Sequence, residues 1–411
     1  KPLLATAFNV ICVGRTDGIH ANTSVSIDSF YSATRPIIHL VAPQSTVSAS
    51  TPTISSAVSL LLDGANNNSH WSAGSTINRA GSTIYSGQKS ETIKAVLMAG
   101  ASRFTINSGA TGADIVDYRQ DVSQQTDNGL DWRYGAGQLN IQHSYQILSS
   151  GEQASKQDAG STLVQTSGYD YDPAFGGDAG SNDVGDYDLG LINMDGFLAA
   201  SLVWNADITG PPSPSSTQFS YNASVEKLKL SVFSIATNGT ESLIEESISS
   251  VSNTQNIWLE VNAGGHYKLR IEAMTGSFKK DYALAWQIRA FNDFDQDGSF
   301  DHLDSNVTDP CVPTRFTSPC LEDSDVDGLS DFVEGEFIDS DLDGLFDYLE
   351  SNILDSDADG FMDNVDLDNQ DPCVPDFTAC SVNIPVLPPS FYYILTLLLA
   401  FIAVPLRFKH R

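Results

Sequence analysis

Residues 291–380 set the hardest constraint on how this chain can fold. They hold 22 Asp and 4 Glu against a single basic residue, Arg315, a net charge of −25 in a chain whose total is −31. A segment of this kind repels itself and stays expanded unless counter-ions organise it. The acid is patterned. Four frames, "DFDQDGSFDHLD", "DSDVDGLSDFVE", "DSDLDGLFDYLE" and "DSDADGFMDNVD", begin at Asp293, Asp323, Asp339 and Asp355, the last three spaced by 16 residues. Each carries Asp at positions 1, 3 and 5, Gly at 6, Asp at 9, and Asp or Glu at 12. Calcium takes about six to eight hard oxygen ligands from carboxylates and carbonyls, and Gly at position 6 permits the sharp turn that gathers the early carboxylates. Ca²⁺ is therefore the expected cofactor. The predicted ligands are Asp293, Asp295, Asp297, Asp301 and Asp304; Asp323, Asp325, Asp327, Asp331 and Glu334; Asp339, Asp341, Asp343, Asp347 and Glu350; and Asp355, Asp357, Asp359, Asp363 and Asp366. Position 7, such as Leu329, would give its backbone carbonyl. The alternative is an acidic spacer without metal.

These loops resemble EF-hand loops and, more closely, thrombospondin type 3 repeats. The 16-residue pitch leaves four residues between 12-residue loops, too few for paired helices. Stacked calcium loops with small apolar plugs (Leu345, Phe346, Phe361, Met362) are expected instead. The five cysteines sort in the same way. Cys12 lies in an apolar run and reads as a buried thiol. Cys311 and Cys320, and Cys373 and Cys380, form two close pairs that read as small disulfide loops, zinc being the alternative.

Upstream, residues 190–290 alternate with period two: Leu228, Leu230 and Val232; Tyr267, Leu269 and Ile271; Tyr282, Leu284, Trp286 and Ile288. "TNG" and "NAGG" separate the runs. The pattern predicts an antiparallel, jelly-roll-like β-sandwich, with residues 151–189 as a Gly/Asp-rich linker before it. Residues 1–150 mix apolar strand runs, "VICVG" and "IIHLVAP", with helical spacing at Ile54, Ala57, Val58, Leu61 and Leu62 and again in "ETIKAVLMAGAS". "YGAGQLN" reads as the turn that ends this unit. The chain begins at Lys1 without a leader pattern, and "ATAFNVICVG" reads as a strand entered from upstream, so a fragment of a longer protein is expected.

The order of segments in residues 1–150, a buried strand, "LVAP", a Ser–x–small–x–Pro element in "STVSASTP" and a second apolar helix, resembles the C-terminal third of a subtilisin-like serine peptidase domain. That resemblance implies a partial α/β fold, a protein or peptide substrate, and Ser48 as nucleophile at a helix N-terminus, with Ser50 and Pro52 in the family's small-residue and proline positions. Thr46–Val47 replaces the family's Gly–Thr. The Asp, His and oxyanion Asn segments are absent, and His20, His39 and Asp17 lack the family context. This chain alone is therefore expected to be inactive.

Residues 384–411 combine "IPVLP", a 16-residue uncharged run from Phe391 to Leu406, and Arg407, Lys409 and Arg411. They resemble a bacterial IPTL-type sorting signal, which implies a transmembrane helix, a sorting or processing protease and a membrane-anchored cell-envelope location; a plain single-pass anchor is the alternative. No basic patch speaks for nucleic acid. Taken together the sequence predicts a multidomain exported serine endopeptidase fragment with a calcium-stabilised stalk at 291–380. The alternative is a non-catalytic calcium-binding adhesion protein whose sandwich binds a ligand.

Overall fold

A computed structural model describes residues 7–17, 37–105, 114–157, 161–175, 183–209, 222–274, 280–297, 299–301, 303–312 and 314–374. The chain divides into two compact units, Lys1–Phe294 with Phe300–Leu303, and Asp295–Ser299 with Asp304–Arg411.

The first unit opens with two short parallel strands, β1 (Val13–Arg15) and β2 (Leu40–Ala42). Helix α1 (Val47–Asn67) follows, with Thr46 as its N-cap and Pro52 inside its first two turns. A hairpin, β3 (Ser75–Ile77) and β4 (Thr83–Tyr85), leads to α2 (Ser90–Ala99), and then comes α3 (Ile141–Ser149). The remaining strands are β5 (Lys156–Gln157), β6 (Thr162–Leu163), β7 (Ser167–Phe175), β8 (Val184–Leu191), β9 (Gly196–Trp204), β10 (Asp207–Thr209), β11 (Asn222–Ser224), β12 (Leu228–Ile235), β13 (Glu241–Ile248), β14 (Thr254–Val261), β15 (His266–Ala273) and β16 (Lys280–Ala290). β14-β9-β16-β7 form one antiparallel sheet, and β13-β12-β15-β8-β5 form another, with β6 added in parallel to β8. β10 and β11 pair with each other.

Alternation puts Phe175, Tyr187, Leu202, Trp204, Leu230, Leu269, Tyr282 and Trp286 into one core shared by the two sheets. The opposite face of the four-stranded sheet is also covered. Tyr169, Tyr171, Val203, Ala283 and Ala285 share a second core with Leu40, Ile54, Leu61, Leu97 and Ile147. α2 has Glu91–Ala99 buried throughout. It is a helix enclosed in the interior, and its burial extends past the apolar positions Ile93, Val96 and Leu97 to the polar Glu91, Thr92 and Lys94.

Four expectations are corrected here. Residues 1–150 do not make an α/β subtilisin-like domain. The named parallel strands among the described residues of that stretch are two three-residue segments, helices are few, and α1 and α2 pack into the same core as the sheets. The described chain is predominantly β-sheet. Residues 151–189 act as more than a linker, because they supply β5 to β8; their Gly and Asp residues alternate with Tyr169, Tyr171, Tyr187 and Leu189, whose side chains are buried. "YGAGQLN" also does more than turn: Leu139 donates its N–H to Val41 O (2.9 Å) and Val41 to Gly137 O (3.0 Å), so the segment pairs with β2.

The membrane anchor is the fourth. Among the described residues no helix is long and apolar enough to cross a membrane. The run expected to span, within residues 384–411, lies outside the described residues. The transmembrane helix and the membrane-anchored location built on it are withdrawn.

Among its described residues the second unit has one short helix, α4 (Asp331–Glu334), and single 3₁₀ turns at Asp347–Leu349 and Asp363–Val365. None of the three hydrophobic clusters includes a residue of this unit. The expected plugs are thin: Leu345, Phe361 and Met362 are about 40 % exposed. Phe316, Phe346 and Tyr348 do form a small ring cluster, with centroids 4.9 Å apart for Phe316–Tyr348 and 6.0 Å for Phe346–Tyr348. Cys311 and Cys320 are joined in a disulfide, Cα–Cα 4.8 Å, which removes the thiolates that zinc would need. Cys380 lies outside the described residues. In the first unit Cys12 is buried and forms no disulfide.

Candidate metal centre

The three acidic frames that lie within the second unit fold into the same loop, and the first frame shares its left-handed residue. The residue at position 4 is in the left-handed region in all four, at Gln296 (φ 65°), Val326 (63°), Leu342 (66°) and Ala358 (65°). Gly328, Gly344 and Gly360 follow at φ 99°, 99° and 102°. Their surroundings are open, so the requirement for Gly comes from the backbone angle and not from space. Side chains cost about 1–2 kcal/mol in the left-handed region, and Val is among the least suited to it. The loop accepts that cost four times, so its shape is held by something stronger than local preference.

The first holding element is a set of turns that the aspartates make with their own backbone. Gly328 donates its N–H to Asp323 Oδ2 (3.0 Å), Gly344 to Asp339 Oδ2 (3.2 Å) and Gly360 to Asp355 Oδ2 (3.0 Å). Leu329, Leu345 and Phe361 donate to Oδ1 of Asp327, Asp343 and Asp359 at 2.8, 2.6 and 2.8 Å. As a result the triads Asp323/Asp325/Asp327, Asp339/Asp341/Asp343 and Asp355/Asp357/Asp359 each bring one carboxylate oxygen per residue within 4.8 Å of the others. The first frame is divided between the units, Asp293 and Asp301 in the first and Asp295, Asp297 and Asp304 in the second.

At position 9 both carboxylate oxygens accept hydrogen bonds. Asp331 accepts from Ser324 N (2.8 Å) and Ser324 Oγ (2.7 Å), Asp347 from Ser340 N (2.7 Å) and Oγ (2.6 Å), and Asp363 from Ser356 N and Oγ (both 2.8 Å). These buried carboxylates brace the loop from behind. In the first frame Asp301 accepts from Phe294 N in the same way (2.8 Å). Arg315 donates to Asp331 Oδ2 (3.2 Å) and Ser324 Oγ (2.8 Å), so the basic residue of the segment is spent on a brace.

Position 12 turns inward. Glu334 Oε2 and Glu350 Oε2 are buried without a hydrogen-bond partner, as are Asp325 Oδ2, Asp341 Oδ2, Asp357 Oδ2 and Asp359 Oδ2. The Glu334 and Glu350 carboxyls are pushed up to about 7. Burial away from water is the main cause; Asp325 and Asp327 add to it at Glu334, and Asp343 and Asp341 at Glu350, where a hydrogen bond from Asn369 works against the rise. Asp325, Asp341, Asp357 and Asp366 are raised by the same combination of burial and neighbouring carboxylates. Buried carboxylate oxygens without donors are costly unless paired with a cation. Here they recur in three consecutive loops, always facing other carboxylates.

Neighbouring loops are tied together. Asn352 N donates to Asp327 Oδ2 (2.9 Å), 25 residues away, and Asn369 Nδ2 to Glu350 Oε1 (2.7 Å). Sequence reasoning missed the Asn369 side chain, and it missed the serines at position 2, although the recurring "DSD" at Asp323, Asp339 and Asp355 carried that signal; the Asn352 contact uses only backbone N–H.

Ser48 lies exposed in the first turn of α1. Among the described residues its hydroxyl has no hydrogen-bond partner. Thr46 caps the helix by accepting from Ala49 N (3.2 Å), and Ser50 is buried with its hydroxyl donating to Ala42 O (3.3 Å). His39 is occupied elsewhere: its Nδ1 accepts from Cys12 N (3.0 Å) and its Nε2 lies 3.1 Å from Lys94 Nζ. Asp17 pairs with Arg15, and His20 lies outside the described residues. The structure brings no base or acid to Ser48 among the described residues.

No protein-family model and no curated protein matches this chain. Among solved structures, the pre-peptidase C-terminal domain of collagenase from Bacillus anthracis is similar at 9 % identity, covering 31 % of this chain and 93 % of that one, with a TM-score of 0.21. The Yersinia pseudotuberculosis-derived mitogen is similar at 11 % identity over 26 % of this chain and 86 % of that one, TM-score 0.16. The CBM22-1 xylan-binding domain from Paenibacillus barcinonensis is similar at 10 % identity over 26 % and 65 %, TM-score 0.16. Likenesses this slight carry no argument. None of these comparisons supports serine-peptidase chemistry or a sorting signal, and the peptidase fold on which that reading leaned is not the fold observed. It is not carried forward.

Proposed function

We propose that this chain is a non-catalytic calcium-binding protein, in which the acidic loops form a calcium-ordered module and the helix-backed β-sandwich serves as a ligand-binding body. The observation that carries the reading is the recurrence of buried, donorless carboxylate oxygens at positions 3 and 12 of two loops and 3 and 5 of a third. Ca²⁺ supplies what those oxygens lack. It accepts many oxygen ligands in flexible geometry, whereas Mg²⁺ demands a stricter octahedron and surrenders its waters reluctantly. Asp323, Asp325, Asp327 and Glu334 would hold the ion in the second frame, with the equivalent residues in the third and fourth. Asp331, Asp347 and Asp363 would keep the loops in shape.

Because this unit has no hydrophobic cluster among its described residues, its order would depend on the ions more than that of the first unit. Amide hydrogen exchange tests this. With calcium, the N–H groups of Gly328, Gly344 and Gly360 should be protected; with a chelator they should exchange rapidly, while β9 and β16 stay protected. Equal protection of the loops in both conditions would contradict the proposal.

A further inference from the structure

We propose that a cavity of about 400 Å³ in the first unit binds a singly charged carboxylate carried on an aromatic or apolar body. This gives the binding body of the preceding section a place and a ligand class, and its test does not depend on calcium.

The cavity gathers Arg103, which follows α2; His143, in the first turn of α3; and Arg289, Phe197 and Trp258, from β16, β9 and β14. Arg103 is 4 % exposed. It donates to the carbonyls at the end of α2, from Nη1 to Ala99 O (3.3 Å) and Ala101 O (2.8 Å) and from Nη2 to Met98 O (3.1 Å), and its Nε is buried without an acceptor. Arg289 Nη2 reaches Ala101 O (3.3 Å), and its Nη1 meets His143 Nδ1. Capping α2 explains Arg103 in part. It does not explain a second guanidinium beside the first, since like charges repel and burial makes both costly. Among the described residues neither guanidinium has a carboxylate at ion-pair distance.

Burial draws the Arg289 guanidinium down to about 9 with the charge of Arg103 adding to the effect, lowers Arg103 as well, and draws His143 down to about 4. His143 is therefore neutral near pH 7 and accepts from Arg289. One carboxylate, Asp301, also lines the cavity, with its Oδ1 accepting from Phe294 N. Two guanidinium charges against one carboxylate leave a single positive charge, which suits a monoanion better than a phosphate dianion. Guanidinium donors match a planar carboxylate in two-point contact. Beside them Phe197 and Trp258 stack at 4.6 Å and 25°, a flat apolar wall for the body that carries the carboxylate.

Calorimetry on the full chain in saturating calcium, with benzoate as probe and benzyl alcohol and inorganic phosphate as comparisons, tests the assignment. Benzoate should bind at one site at millimolar concentration, benzyl alcohol and phosphate at least tenfold more weakly, and Arg289→Gln should weaken benzoate at least tenfold while Arg289→Lys keeps part of the affinity. Circular dichroism establishes that the variants are folded; if Arg289→Gln is not, the benzoate-against-benzyl-alcohol comparison in the unaltered chain decides. No heat with benzoate, equal binding of benzyl alcohol, or undiminished benzoate binding by folded Arg289→Gln would each overturn the proposal. A chain that bound no calcium would overturn the calcium module and leave this comparison standing.

Discussion

Asp331 holds Ser324 at two points, its Oδ1 accepting from the backbone N–H at 2.8 Å and its Oδ2 from the hydroxyl at 2.7 Å, and the same clasp recurs at Asp347/Ser340 and Asp363/Ser356. At position 9 both oxygens accept from one serine, whereas at position 3 the Oδ2 atoms of Asp325, Asp341 and Asp357 are buried without a donor. Asp331→Asn should therefore cost about 1.5–3 kcal/mol of stability in the calcium-loaded chain, the range for a hydrogen bond to a charged group, without changing the number of ions bound. Asp325→Asn should do the reverse, weakening one ion site with a smaller effect on melting. Paired calorimetric titration and thermal unfolding of the two variants checks this. Loss of an ion site in Asp331→Asn would show that the brace is a ligand after all.

Calcium affinity should fall on acidification through pH 7. Glu334 and Glu350 must be deprotonated to bind an ion, and in the ion-free loops their carboxyls stand at about 7, raised from 4.5 chiefly by burial. A proton therefore competes with calcium, and affinity should drop roughly tenfold per pH unit for each such group below about pH 6. The ion-free loops respond with the opposite sign. A carboxyl whose folded pKa is raised gives stability that is fully present below 4.5 and is lost as pH rises through about 7. Melting of the chelated chain should thus weaken from pH 5 to 8, while melting in calcium strengthens over the same interval.

Gly344→Ala should destabilise its loop by about 1–3 kcal/mol, the range for a residue forced into sparsely populated backbone space. Gly344 has φ 99° and open surroundings, so no clash contributes. Leu342→Gly, at φ 66°, should be neutral or slightly stabilising, because it removes a side chain from the left-handed region. Calcium-dependent unfolding of the two variants measures both. A larger loss at Leu342 than at Gly344 would refute the backbone account.

Ser48→Ala should leave folding stability within about 0.5 kcal/mol of the unaltered chain, the usual range for an exposed side chain away from a cap or network. The chain should not turn over a casein-type substrate with either residue. Turnover abolished by Ser48→Ala would reveal a base that the described residues do not contain.

The parts legible in the sequence were those in which one period or one frame dominated. Leu228, Leu230 and Val232 alternate cleanly and lie in β12, and the Asp-x-Asp-x-Asp-Gly frame located the loops at Asp323, Asp339 and Asp355 with Gly328, Gly344 and Gly360. The strands Ser167–Phe175 and Val184–Leu191 were hidden because Gly and Asp stand between Tyr169, Tyr171, Tyr187 and Leu189, so the composition up to residue 189 read as linker although these side chains, and those of Asp170, Asp172 and Asp186, are buried. "NVICVG" and "LVAP" showed burial, and burial does not specify topology: an apolar run serves a two-strand parallel patch under a sandwich as well as a doubly wound sheet. The clasp of Asp331 on Ser324 was not legible because an Asp is equally able to ligate a metal or to accept from a serine. The left-handed Val326 and Leu342 were unreadable because their residue types argue against that conformation.

The central claim is that the donorless carboxylates of the acidic loops hold calcium, and direct titration of the chelator-stripped full chain with calcium tests it most plainly. At least three ions should bind per chain, one for each triad lying within the second unit, with release of protons at pH 7 as Glu334 and Glu350 ionise and with much weaker heats for magnesium. A flat calorimetric trace at millimolar calcium, or equal binding of magnesium and calcium without proton release, would contradict the account.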